Sequence, residues 1–195
     1  MYHIYKNGFI EVVCGPMFAG KTEELIRRAK RLKYAKQQYQ VFKPVIDNRY
    51  SLKNEIVSHN LLTENAILIN KASDILTNLH PDTEAVIIDE AQFLDHEIIT
   101  IADNLANKGL RVIVGGLDRD FKGEPFGPMP SLLAIAEFVT KLTAICPVTG
   151  MPATRTQRII DGSPANYEDP LIVIGASESY EPRSRHAHLV PKKNG

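Results

Sequence analysis

The chain has 195 residues, 44% of them hydrophobic and 24% charged, and 23 Lys plus Arg against 23 Asp plus Glu give a formal net charge of zero. This is an ordinary globular composition, long enough to bury one full core, and it excludes a disordered, collagenous or coiled-coil chain. It supplies no global field to attract nucleic acid or an anionic membrane, so partners must be recognised at local sites.

Along the chain, short β-branched runs alternate with helical patterns over about the first 140 residues, the signature of βαβ units and a largely parallel sheet. Phe9 to Cys14 reads as a strand, followed by a glycine-bounded loop and a helix from Thr22 to about Gln37 with Leu25, Ile26, Ala29 and Leu32 on one face. Further strands are expected at Tyr39 to Ile46, Ala66 to Ile69, Ala85 to Asp89, Leu110 to Leu117 and Val139 to Ile145, each mostly apolar as a strand covered on both faces should be. Asp95 to Lys108 gives an amphipathic helix through Ile98, Ile99, Ile101, Ala102 and Leu105, with Gly109 at its C-terminal cap, and a helix also fits Ser131 to Phe138. After Cys146 the texture changes: Pro147, Gly150, Pro152, Gly162, Pro164 and Pro170 punctuate short polar segments, Arg158 to Pro164 suggests a hairpin, and Leu171 to Gly175 is the clearest strand. The expected organisation is an α/β nucleotide-binding domain over residues 1–145, a small subdomain over 146–190 and a basic tail over 191–195. No run approaches the roughly 20 apolar residues that span a bilayer. The opening residues carry no signal-type apolar stretch, and the two cysteines, Cys14 and Cys146, suit a reducing compartment; a cytoplasmic protein is expected.

Chemistry concentrates in two places. Gly15-Pro16-Met17-Phe18-Ala19-Gly20-Lys21-Thr22 matches G-x-x-x-x-G-K-[ST] between a strand and a helix, the context that gives the match meaning. Such a loop surrounds a polyphosphate with main-chain N–H groups, brings Lys21 toward the β and γ phosphates, and offers the Thr22 hydroxyl to Mg²⁺. The second is Val86-Ile87-Ile88-Asp89-Glu90, an apolar strand ending in two carboxylates. Asp89 suits the Mg²⁺ carboxylate, and Glu90 suits a general base beside the γ-phosphate. By this pattern alone Glu90 could activate water in an ATPase or a hydroxyl acceptor in a kinase.

The segments after these elements narrow the choice. Asp89-Glu90-Ala91-Gln92-Phe93 resembles the D-E-[GA]-Q-F segment of the type II thymidine kinases, those related to the cytosolic human enzyme, and the phosphate loop resembles their G-P-M-F-[SA]-G-K-[ST]. Asp47-Asn48-Arg49-Tyr50 is similar to the family's D-x-R-[YF], Asp118 to Gly127 to its D-x-x-F-x-x-x-P-F-G, and Thr154 to Arg158 with Leu171 to Glu181 to its C-terminal segments. The resemblance implies a RecA-like P-loop fold, a mostly parallel sheet with helices on both faces, plus a small lasso or zinc-ribbon-like subdomain. It implies transfer of the γ-phosphate of ATP to the 5′-hydroxyl of thymidine or deoxyuridine in pyrimidine salvage for DNA synthesis, with Glu90 as base and Asp89 holding Mg²⁺. Asp47 and Arg49 match a pair near the phosphates, and Ala91 and Gln92 extend the ATP-binding segment. Met17, Phe93, Leu117, Phe121 and Phe126 match the walls of the nucleoside site, which suits a pyrimidine because a base presents a π-face. Without the family, Phe121 and Phe126 read as ordinary packing anchors. Leu171, Ile172, Val173, Ile174 and Gly175 match a loop that folds over the base, with Thr156 and Tyr180 as its side-chain contacts. A homotetramer and feedback inhibition by dTTP are also implied; nucleic acid and membrane partners are not.

The chain departs from the family at its zinc. Family members tie the subdomain with four ligands, whose positions fall here on Cys146, Thr149, Ser184 and Ala187. Zinc requires about four N or S ligands. Cys146 with His186 and His188 offers three, so the subdomain is expected to lack zinc and to be held by packing and prolines. The competing reading is a P-loop ATPase or nucleotide switch acting on a macromolecular partner. A GTPase is disfavoured because Asn70-Lys71 and Asn107-Lys108 do not continue as N-K-x-D.

Overall fold

The computed structural model describes residues 8–45, 66–171 and 178–192. Six strands form one parallel sheet: β1 (Phe9–Cys14), β2 (Tyr39–Pro44), β3 (Ala66–Ile69), β4 (Ala85–Ile88), β5 (Arg111–Gly116) and β6 (Phe138–Lys141), in the spatial order β3-β2-β4-β5-β1-β6. Helices α1 (Lys21–Tyr34), α2 (Asp74–Asn78), α3 (Glu97–Asn107) and α4 (Met129–Ile135) connect them. Because side chains alternate along a strand, each central strand feeds two cores. Val13, Ala85, Ile87 and Ile113 point to the α1 side and pack on Leu25, Ile26, Ala29 and Leu32. Ile10, Val12, Val86, Ile88, Val112 and Val114 point the other way, onto Ile98, Ile101, Ala102 and Leu105 of α3 and Met129 and Leu132 of α4. This is the α/β P-loop architecture expected, with helices on both faces. Among the described residues no helix is long and apolar enough to cross a membrane.

A buried ion pair sits inside this packing. Glu11, fully buried on β1, accepts from Arg28 Nη1 of α1 at 2.6 Å and from Arg111 Nε of β5, so the carboxylate ties three elements beneath the sheet. Burial of such a group is tolerable only because both partners are fixed.

The C-terminal part is antiparallel. β7 (Ala144–Ile145) pairs with β8 (Pro152–Ala153), and β9 (Arg155–Ile160) lies between β10 (Ser163–Pro164) and β11 (Glu178–Arg183). The hairpin expected at Arg158 to Pro164 is the β9–β10 pair, turned by Asp161 and Gly162 at φ 50° and 77°, the two positive values a tight hairpin turn demands.

Several boundaries differ from the sequence reading. The helix expected over Ser131 to Phe138 runs from Met129 to Ile135: Pro128 and Pro130 start it, where a missing N–H costs nothing, and Phe138 already belongs to β6. The strand expected over Val139 to Ile145 splits, because Ala144 and Ile145 leave the main sheet to pair with β8. α1 stops at Tyr34, three residues early, with Lys36 in the left-handed region at φ 56°. Helix α2, which the sequence reading left unassigned, is started by Asp74, whose carboxylate accepts from the N–H groups of Asn70 and Lys71 at 2.9 and 3.2 Å. Ile46 and residues 172–175 of the expected strands lie outside the described residues.

Candidate active site at the C-terminal edge of the sheet

β1 and β4 both end at the same edge of the sheet with β5 between them, so the loop after β1 and the carboxylates after β4 face one cleft. The loop's shape follows from its glycines. Gly15 has φ 149° and a Cβ there would stand 2.5 Å from the Leu142 carbonyl oxygen; Gly20, at φ 80°, turns the chain into α1. Phe18 also adopts a positive φ, 63°, and is exposed. Lys21, in the first turn of α1, donates to the Pro16 carbonyl at 2.9 Å. Burial lowers its pKa, opposed by Glu90, Asp89 and Asp118. The half-buried Thr22 is its neighbour at the same helix start, where the unpaired N–H groups favour an anion.

Asp89 is buried immediately after β4, and its Oδ1 accepts the Glu90 N–H at 2.9 Å. Burial, then the charge of Glu90, pushes its carboxyl well above the usual carboxylate range, against Lys43 and Lys21. Glu90 itself is strained into the left-handed region, φ 55°, at the start of a short turn through Ala91, Gln92 and Phe93. The Gln92 amide explains how that geometry persists: Nε2 donates to the Glu90 carboxylate while Oε1 accepts the Leu117 N–H at 3.0 Å. Gly116 makes room, since a Cβ there would lie 2.7 Å from Gln92 Oε1. Gln92, placed by the sequence reading in the ATP-binding segment, is a buried brace between Glu90 and the end of β5.

Among the described residues no three His, Cys, Asp or Glu side chains converge as a metal cage. The oxygens of Asp89 and Thr22 instead suit a hard cation that keeps waters and phosphate oxygens in its shell, as Mg²⁺ does.

The aromatic residues fall into two groups. Phe93 and Phe126, both half-buried, meet edge to face with centroids 5.4 Å apart, which sets an aromatic pair three residues from Glu90. Phe121 is buried, with the Arg158 guanidinium 5.2 Å and the Lys122 ammonium 5.6 Å from its ring centroid. Its loop is shaped by Asp120, which accepts the N–H groups of Lys122 and Glu124 at 2.9 and 3.0 Å, and by a 2.7 Å ion pair between Asp118 and Lys141. Leu117 is half-buried at the end of β5. Thr156 Oγ1 accepts the Met17 N–H of the phosphate loop at 3.1 Å, Tyr180 is half-buried on β11 opposite Arg158, and Leu171 is exposed. Asp47, Arg49, Ile172, Val173, Ile174 and Gly175 lie outside the described residues.

The four positions that carry zinc ligands in the resembling family do come together. Thr149 Oγ1 donates to Ser184 Oγ at 3.2 Å, and Cys146 is fully buried with Ala144 and Ala153, against Ala187 and Ala19 of the phosphate loop. Burial resists ionisation of Cys146, but the Thr149 hydroxyl and the main chain of Ser184, Thr149 and Val148 outweigh it and bring the thiol down to about 6. His188 turns elsewhere: its Nε2 lies 2.8 Å from the Phe121 carbonyl oxygen, and burial, opposed by that contact, lowers its pKa. His186 is exposed. Cys14 is fully buried and burial pushes its thiol to about 11, which makes it an inert apolar residue.

Sequence reasoning passed over Arg158, Gln157 and the Asp118–Lys141 pair. Nothing in the sequence marks the first two: the burial of the polar run Arg155 to Arg158 shows only in the structure.

A family model described as thymidine kinase matches residues 8–188. Among solved structures, the flagellar accessory protein FlaH from Methanocaldococcus jannaschii is similar with a TM-score of 0.49 and 10% identity, over 75% of this chain and 76% of that one. Domain III of the Thermotoga maritima replication initiation protein DnaA is similar with a TM-score of 0.41 and 15% identity, over 68% and 54%. Both likenesses are distant.

Proposed function

The chain belongs to the thymidine kinase family, and from that premise we propose that it transfers the γ-phosphate of ATP to the 5′-hydroxyl of thymidine or deoxyuridine. The observation that carries the reading is the braced carboxylate. Glu90, held by Gln92 beside the buried Asp89, shares the sheet edge with the phosphate loop, and its own turn presents Phe93 against Phe126. A base that must meet a nucleoside hydroxyl belongs between a phosphate cradle and an aromatic wall.

In this mechanism the main-chain N–H groups of residues 18–22 and the Lys21 ammonium hold the phosphates, the Met17 N–H being taken by Thr156. Asp89 and Thr22 are the residues that would hold Mg²⁺, which would supply neutralisation of the phosphate charge. Glu90 accepts the 5′-hydroxyl proton as that oxygen bonds to the γ-phosphorus, the bond to the β-phosphate oxygen breaks, and ADP leaves. From the family pattern, Asp47 and Arg49 join the phosphates, and Leu171 to Gly175 with Thr156 and Tyr180 close over the base. The proposal extends to a homotetramer inhibited by dTTP, working in cytoplasmic pyrimidine salvage. It also holds that the subdomain dispenses with zinc, for which the Thr149–Ser184 hydroxyl contact is the support.

The test is a single turnover with γ-labelled ATP, Mg²⁺ and a panel of nucleosides. The label should appear in the monophosphate of thymidine or deoxyuridine. Label appearing only in inorganic phosphate would instead mean that Glu90 activates water, as in an ATPase switch.

A further inference from the structure

Arg158 is the largest fully buried side chain among the described residues, in a strand whose neighbouring residues each tie a different segment. On one face of β9, Thr156 holds the phosphate loop through Met17; on the other, Gln157 grips the Leu189 main chain through both its amide atoms, at 2.8 and 2.9 Å. Arg158 sits two residues from Thr156 and so shares its face. Its guanidinium covers the Phe121 ring at 5.2 Å and its Nη1 donates to the Pro170 carbonyl at 2.6 Å. One planar group thus fixes a ring in the loop after β5 and the main chain just before Leu171. That loop also delivers Phe126, because the Phe126 N–H returns to the Asp118 carbonyl at 3.3 Å and the chain between is pinned on Asp120.

We infer that Arg158 is a positioning residue for the nucleoside wall, acting through Phe121 and Pro170, neither of which belongs to the phosphate loop. The inference rests on the nucleoside-kinase reading. Two properties of arginine are needed together: a delocalised cation that stacks on a ring, and a second donor in the same plane for a carbonyl. Lysine can supply one at a time. The expected signature is therefore a split between substrates, with nucleoside affinity lost and ATP affinity retained.

The experiment compares steady-state constants for the full-length protein and its R158M, R158K and F121L variants, with R158K/F121L as the coupling control. R158M should raise the nucleoside KM about tenfold or more, as expected for losing a desolvated cation–π contact, and leave the ATP KM within about twofold. R158K should recover only part of the loss. If R158M does not fold, R158K carries the same test, and in the F121L background it should add little, because the ring it acts through is gone. Equal rises in both KM values, no rise in either, full recovery by lysine, or independent effects in the double variant would each overturn the assignment. A wild-type protein that phosphorylates no nucleoside would remove the kinase reading and this inference with it; an active wild type with an unmoved nucleoside KM in R158M and R158K would remove the inference alone.

Discussion

The Thr156 hydroxyl accepts the main-chain N–H of Met17 at 3.1 Å, joining the antiparallel C-terminal sheet to the phosphate loop across 139 residues of sequence. The loop that cradles phosphate is therefore shaped partly by β9. Removing the acceptor leaves a loop N–H without its partner, which costs about 1 kcal/mol. Thr156→Val should raise the ATP KM about fivefold, the equivalent of that loss, while Thr156→Ser should stay near wild type. Steady-state kinetics with ATP varied at saturating nucleoside would read it.

Glu90 is the residue on which the chemistry turns. Glu90→Gln keeps the size and one acceptor oxygen but cannot take a proton, so kcat should fall by about 10²- to 10⁴-fold while nucleotide binding is retained. Near-normal turnover in this variant would take the base role away from Glu90.

Asp89 is destabilising in the free protein, because its carboxyl is forced above the usual range by burial and by Glu90. A carboxyl raised in the folded state stabilises most at low pH, and that contribution is lost as pH climbs from the ordinary carboxylate range toward and through the raised value. In the absence of nucleotide and Mg²⁺, Asp89→Asn should therefore gain in Tm over wild type as pH rises from about 4 to 8. A gap that is constant or shrinks with rising pH would contradict the account.

Two other carboxylates on the α1 side separate buried from exposed ion pairing. Glu11→Gln removes the buried charge between Arg28 and Arg111 and leaves Arg28 to Glu24 and Thr140, so it should cost less than the about 3–5 kcal/mol of a fully stranded charge in urea unfolding, but more than the loss of an exposed pair. Glu24 is held down to about 2 chiefly by Arg27, with Arg28 assisting against burial. Its contribution is present above its ordinary value of 4.5 and is lost as pH falls toward 2. Because Arg27 is largely exposed and solvent screens the pair, Glu24→Gln at neutral pH should cost about 1 kcal/mol or less.

If hydroxyls and packing replace zinc around Cys146, a strong chelator with Mg²⁺ resupplied should leave both activity and Tm unchanged. Metal analysis of the purified protein should find well under one zinc per chain. A stoichiometric zinc lost together with activity would overturn that proposal.

The sequence was most legible where local chemistry dictates backbone shape. The glycines at 15 and 20, the apolar runs of β1, β4 and β5, and the acidic pair at 89 and 90 each specify their own conformation, and the structure brings them to one edge. It was least legible where partners are distant. Ala144 and Ile145 continue an apolar run, and only the pairing with Pro152 and Ala153 takes them out of the main sheet. Gln92 reads as part of the ATP-binding segment, and nothing local shows that Leu117, 25 residues on, supplies the N–H that turns it into a brace. Arg158 likewise looks like a solvated strand charge until Phe121 and Pro170 enclose it.

The most direct measurement is ADP release with Mg²⁺-ATP, with and without thymidine, with the nucleoside monophosphate quantified in the same samples. The account predicts little ADP without acceptor and, with thymidine or deoxyuridine, one monophosphate formed per ADP. ADP accumulating at the same rate without any nucleoside, and no monophosphate in its presence, would contradict it.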